Sequence, residues 1–111
     1  MVNLLAELDT TFAALSDPTR RAILARLSEG EQNVSMLAAP LPMSLVAVGK
    51  HLAVLEKAGL VKSRKVGRTR ICALTPAPLG RAADWIDGYR SFWNTRLDAL
   101  ATYLANREEE Q

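Results

Sequence analysis

Residues 43–59 constrain the fold more than any other stretch of the chain, because they carry a clear helical pattern. Their apolar side chains recur at spacings of three and four residues, which places them on one helical face that packs inward. These inward residues are Leu45, Val48, Leu52 and Leu55. The opposite face carries small or cationic side chains, namely Val46, Ala47, Gly49, Lys50, Ala53 and Lys57. Ser44 suits the N-cap, and Gly59 suits the C-terminal stop. A helix with such a face can lie flush against an anionic surface, and the major groove of DNA is wide enough to admit it.

The composition is that of one small globular domain. The chain has 111 residues, of which 49% are hydrophobic, and this fraction argues against disorder. No apolar run approaches the roughly 20 residues needed to span a bilayer. The N-terminus has acids and lacks the basic segment of a signal peptide. The single cysteine excludes an internal disulfide framework and fits a reducing compartment. We therefore expect a cytoplasmic protein that does not associate with membranes.

The charge is unevenly distributed along the chain. The net charge is only +2, but residues 50–70 contain seven lysines and arginines and a single acid, Glu56. This basic block therefore carries +6, and the other residues together carry −4. Taken alone, such a run is more often a solvated charged hairpin than a binding surface. Because it overlaps the helix described above, a surface for a polyanion is the favoured interpretation.

The segments before this helix complete a familiar supersecondary pattern. Residues 3–15 and Pro18–Leu27 are predicted to form helices, and Asp17 and Pro18 suit the N-cap and first position of the second. Residues 33–39 are predicted to form a short helix, which the two prolines that follow must end. A short helix, a tight turn and a longer helix make a helix-turn-helix, whose second helix presents its N-terminal residues to base edges.

Two β-prone runs follow the long helix. Residues 60–66 and 69–74 flank Gly67-Arg68, which predicts a hairpin with a tight turn. Basic side chains crowd its tip: Arg64, Lys65, Arg68 and Arg70. A helix-turn-helix followed by a basic hairpin is a winged helix. Arginines at the tip suit a narrow minor groove or the flanking phosphates.

Residues 79–105 are predicted to form one long helix with more apolar surface than a small core can cover. Five of the six aromatic residues lie between positions 85 and 103. We expect this face and that of the first helix to build a homodimer interface, because a palindromic DNA site requires two copies. The alternative is that the apolar stripe folds back onto the core of its own chain. The predicted interface residues are Leu4, Leu8, Trp85, Ile86, Tyr89, Trp93, Leu97, Leu100 and Leu104.

Three stretches resemble the arsenical-resistance-repressor (ArsR/SmtB) family of bacterial winged-helix regulators: ALSDPTRRAILARL, MSLVAVGKHLAVLEKAGLV and RKVGRTRICAL. The resemblance covers about residues 8–74, and WIDGYRSFWNTRLDALATYL is similar to the subgroup without the usual metal sites. It implies a dimeric repressor that leaves its operator when a signal arrives. It also implies that residues 44–51 contact the major groove. The chain departs from the family at Gly49, where serine is frequent. Glycine there permits closer backbone approach, or it is drift that weakens the helix.

The DNA-binding residues predicted from these arguments lie on the long helix and on the hairpin. His51 has an alternative role in packing beside the turn. The full set is Ser44, Val46, Ala47, Gly49, Lys50, His51, Arg64, Lys65, Arg68 and Arg70.

The chain offers few metal ligands and no catalytic constellation. In the family that the chain resembles, metal-sensing members bind their metal through cysteines near the third helix, or through histidines and carboxylates on the last one. Here residues 33–35 contain no thiol and residues 79–105 no histidine. His51 and Cys72 are the sole imidazole and thiol, so a zinc site would have to rely mainly on carboxylates. We therefore expect no metal, no cofactor and no enzymatic activity, and a structural role for Cys72 rather than a redox one.

The sequence thus predicts a mainly α fold with a small β-hairpin wing. We expect about five helices and two strands in a winged helix-turn-helix that dimerises through its first and last helices. Residues 1–111 would form a single domain, with a DNA-binding core at 3–75 and a dimerisation helix at 79–105. The expected function is sequence-specific regulation of transcription, as a homodimeric repressor on a palindromic operator in double-stranded DNA. This expected function is compatible with a small-molecule effector, whose identity the sequence does not reveal. The alternative is a helical dimeric module whose basic hairpin binds an acidic protein partner.

Overall fold

The computed structural model describes residues 3–109, and this range contains five helices and three strands. It divides into two units: the first ends at Gly80, and the second begins at Arg81. The elements are α1 (Leu4–Leu15), α2 (Pro18–Leu27), β1 (Gln32–Asn33), α3 (Val34–Ala38), α4 (Leu45–Lys57), β2 (Val61–Val66), β3 (Thr69–Leu74) and α5 (Ala77–Glu109). The predicted winged helix-turn-helix is confirmed. The expected count of two strands was wrong by one, because β1 was missed.

The first four helices each begin at a side chain that accepts a backbone N–H of the first turn. Asp17 accepts from the Arg20 amide at 3.0 Å, and Ser44 accepts from the Ala47 amide at 3.1 Å, so both predicted caps are confirmed. Asn33 was expected to be the first residue of the short helix. It is instead the N-cap of α3. These oxygens satisfy donors that have no partner within the helix, which fixes where each helix starts.

The core of the first unit lies where α2, α3 and α4 pack against the sheet. Its buried residues include Val48, Leu52 and Leu55, three of the four predicted inward residues of α4. The prediction for Leu45 was wrong, because this residue is 57% exposed. It is the first residue of α4, and Leu41 and Met43 of the preceding turn pack against the core instead.

The exit from α4 is fixed by backbone hydrogen bonds around Gly59. The Leu60 amide donates to the Leu55 carbonyl and the Gly59 amide to the Glu56 carbonyl, both at 3.0 Å. This pair of bonds is a Schellman motif, and it requires the positive φ of 76° at Gly59. Leu60 is fully buried directly after the motif, so the chain enters β2 along a defined path.

The sheet is antiparallel with the strand order β1-β3-β2. β1 pairs with β3 only at Gln32–Asn33, opposite Cys72 and Ile71. A strand of two residues has no alternating pattern to detect, which is why the sequence did not predict it. Cys72 lies in the middle strand and is fully buried.

The wing comprises β2, β3 and the turn between them. Val66 pairs with Thr69, which leaves Gly67-Arg68 as a two-residue loop. Gly67 has φ 63°, the arrangement of a type II′ turn with glycine at its first central position. Residues 65–70, the distal wing, lie beyond β1 and are therefore two-stranded, and all six are exposed.

The second unit is the part of α5 that begins at Arg81. The helix extends beyond the predicted 79–105 at both ends. Its large apolar side chains are 41–60% exposed. The rings of Trp85 and Tyr89 lie 4.8 Å apart, and the Arg96 guanidinium lies 4.2 Å from the centre of the Phe92 ring. The exposed set is Trp85, Ile86, Tyr89, Phe92, Trp93, Leu97, Leu100, Tyr103 and Leu104.

Candidate nucleic-acid interface

The predicted contact face of α4 is accessible in its first half. Val46 is 70% exposed, Ser44 and Lys50 are exposed, and Ala47 and Gly49 are half-buried. A Cβ added at Gly49 would meet no atom within 4 Å, so no packing contact in the described chain requires glycine there. The face combines small or apolar side chains with one cation, so it can approach the base edges of a major groove closely.

His51 is a residue of α4 and lies partly buried against the start of α2. Its Nδ1 is 3.3 Å from Nη1 of Arg20 and 3.8 Å from Oδ2 of Asp17. Because a guanidinium can only donate, Nδ1 accepts and a neutral ring carries its proton on Nε2. The packing role considered for His51 is therefore present in the structure. Contact with DNA through Nε2 stays a prediction.

Arg20 and Arg21 hold the end of α1, a role that the sequence did not reveal. Arg20 donates through Nε to the Ala14 carbonyl at 2.7 Å, and Arg21 donates to the Leu15 carbonyl at 2.8 Å. These carbonyls belong to the last helical turn, where acceptors lack helical partners. The pKa of Asp17 is lowered, chiefly by the hydrogen bond from the Arg20 amide and also by the charge of the Arg20 side chain.

Arg64 does not project freely from the wing. It makes a two-pronged ion pair with Glu31, with Nη1–Oε1 at 2.8 Å and Nη2–Oε2 at 2.9 Å. The Arg64 hydrogen bond holds the pKa of the Glu31 carboxyl below its usual value, and Glu31 correspondingly raises the pKa of Arg64. The two side chains are 57% and 49% exposed. Solvent screens such a pair strongly, so a competing anion can replace Glu31.

Arg70 is also engaged, in a cluster with Glu56 of α4 and Ser63 of β2. Its Nη2 donates to Glu56 Oε2 at 2.7 Å, and its Nε donates to Ser63 Oγ at 2.8 Å. The Ser63 hydroxyl donates in turn to Glu56 Oε1. Sequence reasoning missed Glu56. The signal for it was its position as the one acid within the basic block.

The remaining predicted cations have no carboxylate partner within residues 3–109. Lys50 on α4 and Lys65 and Arg68 on the wing are all exposed, and none forms an ion pair in this range. They are therefore the side chains best placed to neutralise phosphates without first breaking an internal contact.

Other candidate chemistry has little support in the described range. No three His, Cys, Asp or Glu side chains between residues 3 and 109 lie close enough together to hold a metal ion. Burial raises the pKa of the Cys72 thiol, which keeps it protonated and unreactive. None of the described helices is long and apolar enough to cross a membrane.

The predicted interface residues differ in how accessible they are. Leu4 is 49% exposed, and all seven predicted residues of α5 are 41–57% exposed. Leu8 is only 4% exposed and is therefore already covered within the chain, so its assignment to an interface was wrong. Leu5, which was not predicted, is 68% exposed.

Comparisons with known proteins support the same arrangement. A family model described as a helix-turn-helix domain matches residues 15–64. The chain is 37% identical over 102 residues to the HTH-type transcriptional regulator Rv2034 of Mycobacterium tuberculosis, covering 92% of each protein. It is 34% identical over 97 residues to the arsenical resistance operon repressor of Escherichia coli, covering 86% of this chain and 83% of that one. The crystal structure of an ArsR family transcriptional regulator, RHA00566, superposes with a TM-score of 0.77 at 39% identity, covering 85% of this chain and 97% of that one.

Proposed function

The chain belongs to the ArsR family of winged helix-turn-helix transcriptional regulators, and we propose that it represses transcription as a homodimer bound to a palindromic operator. The observation that carries this proposal is the accessible face of α4, set in a helix-turn-helix and followed by a wing with unpaired cations. The comparisons do not favour the alternative of a module that binds an acidic protein. A repressor of this kind acts in the cytoplasm, where bacterial operators lie.

In this proposal, α4 and the wing have different tasks. Val46 and Ala47 lie near the N-terminal end of α4, where a recognition helix meets base edges. Lys65 and Arg68 carry charge without a base-specific partner, so they contribute affinity that does not depend on sequence. Arg68 occupies the turn itself, the part of the wing that reaches furthest from the core.

The proposed dimer rests on the apolar surface of α1 and α5. Monomeric proteins rarely expose so many large apolar side chains together. The α5 side chains listed above fall within about 140° of the helix circumference, given 3.6 residues per turn. A second copy would cover this face, and a two-fold axis would present two α4 helices to the two halves of a palindrome.

Salt-dependent binding tests the DNA proposal. Duplexes enriched by the purified protein from a randomised pool are titrated at 50 and 200 mM salt. A protein that neutralises 6–10 phosphates loses affinity by a factor of about 10³–10⁵ over this range. Enrichment of no duplex, or affinity that ignores salt, would refute DNA binding as the function.

Two substitutions test the division of tasks. Arg68→Ala is expected to weaken binding to enriched and random duplexes alike and to make the salt slope shallower by about 0.9 per copy. Ala47→Thr is expected to change which sequence is enriched, with little effect on the slope. Equal effects of both variants on all sequences would contradict this assignment.

Light scattering tests the dimer. The wild-type protein is expected at twice the chain mass at micromolar concentration. Leu97→Glu places a charge in the apolar face and is expected to give a monomer. Ser91→Glu, on the side of the same helix opposite the apolar face, is the matched control and is expected to stay dimeric. A wild-type monomer, or equal behaviour of the two variants, would refute the interface.

A further inference from the structure

The cluster of Glu56, Ser63 and Arg70 joins the recognition helix to both strands of the wing. Each member contacts the other two: Arg70 donates to Glu56 and Ser63, and Ser63 donates to Glu56. Glu56 is the most covered member of its ion pair, with its side chain 25% exposed against 51% for Arg70. It is the last residue but one of α4, and its backbone carbonyl accepts one of the two hydrogen bonds of the Schellman motif.

The cluster lies where the sheet changes from three strands to two. Ser63 pairs with Cys72, which also pairs with β1, whereas Arg70 pairs with Lys65 beyond the end of β1. Side chains alternate between the faces of a strand, so Ser63, Cys72, Lys65 and Arg70 share the face on which Cys72 is buried. The turn at Gly67 lies four residues beyond Ser63, about 13 Å at the usual strand rise. A free two-stranded ribbon is only marginally stable, so its direction depends on what holds it at this point.

Charge alone does not explain why an acid stands here. Glu56 is the one acid among residues 50–70, which face a polyanion in the proposed function. Its carboxylate neutralises one wing arginine and opposes the approach of phosphate. A carboxylate that costs affinity electrostatically needs a compensating role, and the three-way hydrogen bonding supplies one.

We propose that Glu56 is a positioning residue that fixes the distal wing relative to α4, and that Arg70 serves this cluster rather than a phosphate. The inference rests on the proposed function, because it assigns the geometry through which operator DNA is recognised. With the cluster intact, the base contacts of α4 and the cations of the wing meet one duplex in a single register. Without it, the wing still attracts DNA but no longer reinforces the sequence that α4 selects.

The test compares Glu56→Ala with Glu56→Gln. Both remove the charge, but glutamine keeps an oxygen that accepts from Ser63 and Arg70. Positioning predicts that Glu56→Ala weakens binding to the wild-type-enriched duplex by at least about threefold, within the range of measured network couplings. Glu56→Gln is expected to bind that duplex as well as wild type or better, and a random duplex is expected to bind Glu56→Ala no more weakly than wild type. Glu29→Ala, an exposed acid outside the cluster, controls for lost charge.

A charge-neutral double variant decides the role of Arg70. Glu56→Gln with Arg70→Met leaves the net charge unchanged. If Arg70 belongs to the cluster, the double variant loses affinity for the enriched duplex at an unchanged salt slope. If Arg70 binds phosphate, the slope becomes shallower by about 0.9 per copy and random DNA is weakened equally.

Three results would overturn the inference: equal strengthening by Glu56→Ala and Glu56→Gln, weakening by Glu29→Ala equal to that by Glu56→Ala, or the shallower slope of the double variant. Thermal unfolding checks each variant, and if Glu56→Ala does not fold, the double variant decides alone. Failure of the wild-type protein to enrich any duplex would refute DNA binding itself, which separates that outcome from failure of the inference.

Discussion

Replacing Glu31 by glutamine is expected to strengthen DNA binding by releasing Arg64. In the free protein the Glu31 carboxylate occupies both prongs of the guanidinium, at 2.8 and 2.9 Å. A phosphate presents oxygens to the same fork, so it must first displace Glu31. Both side chains are about half exposed, so breaking the ion pair costs little free energy. Glutamine offers one neutral acceptor in place of two charged ones and competes weakly.

The size of the effect follows from what the exchange removes. An exposed ion pair of this kind changes an equilibrium constant by a factor of about 1.4 to 5. Its removal is therefore expected to raise the affinity for DNA by that factor for each copy, and by about 2 to 25 for a dimer. Because Arg64 contacts a phosphate in both proteins once the exchange has occurred, the salt slope of Glu31→Gln is expected to stay close to that of the wild type.

Fluorescence anisotropy with the enriched duplex at several salt concentrations measures both quantities. Glu29→Gln removes the same charge two residues away, from a carboxylate that does not contact Arg64, and it reports the general effect of charge. Glu31→Gln with Arg64→Met is expected to lose the gain in affinity and to have a salt slope shallower by about 0.9 per copy. If the two single variants have the same affinity, Arg64 does not exchange Glu31 for phosphate.

Three further predictions concern the fold and its charges. Leu52→Ala removes a fully buried core side chain and is expected to lower the free energy of unfolding by about 2–5 kcal/mol, measured by denaturant titration. Gly49→Ala meets no atom within 4 Å and is expected to stabilise α4 by about 0.5–1 kcal/mol; weaker DNA binding would then favour close backbone approach, and unchanged binding would favour drift. Because the pKa of Asp17 is lowered in the folded state, its charge adds stability in full above the usual carboxyl pKa, and this is lost as the pH falls through the lowered value. Asp17→Asn keeps the cap, so its unfolding midpoint is expected to depend less on pH across that acidic range; an unchanged dependence would contradict this account.

Much of the first unit could be predicted because local rules and tertiary packing agree there. Ser44 and Asp17 are both N-caps, and Gly67-Arg68 forms the tight turn that its residue types favour. Leu45 shows where periodicity fails. It matches the inward face of α4 by spacing, but a residue at the first position of a helix is buried only if another element covers that end. β1 was missed for a related reason, since its two residues become a strand only because β3 lies beside them.

The candidate site divides in the same way. The sequence by itself determined which elements form and where the positive charge concentrates, because caps, turns, helical spacing and residue charges are local properties. The tertiary structure alone decided which of those charges are available. Glu31 and Glu56 are 33 and 14 positions from their arginines, and such distant groups meet only when the sheet and α4 pack together. Arg64 and Arg70 each contact a carboxylate, whereas Lys65 and Arg68 contact none among the described residues. This difference arises from contacts in the folded chain, which no linear pattern records.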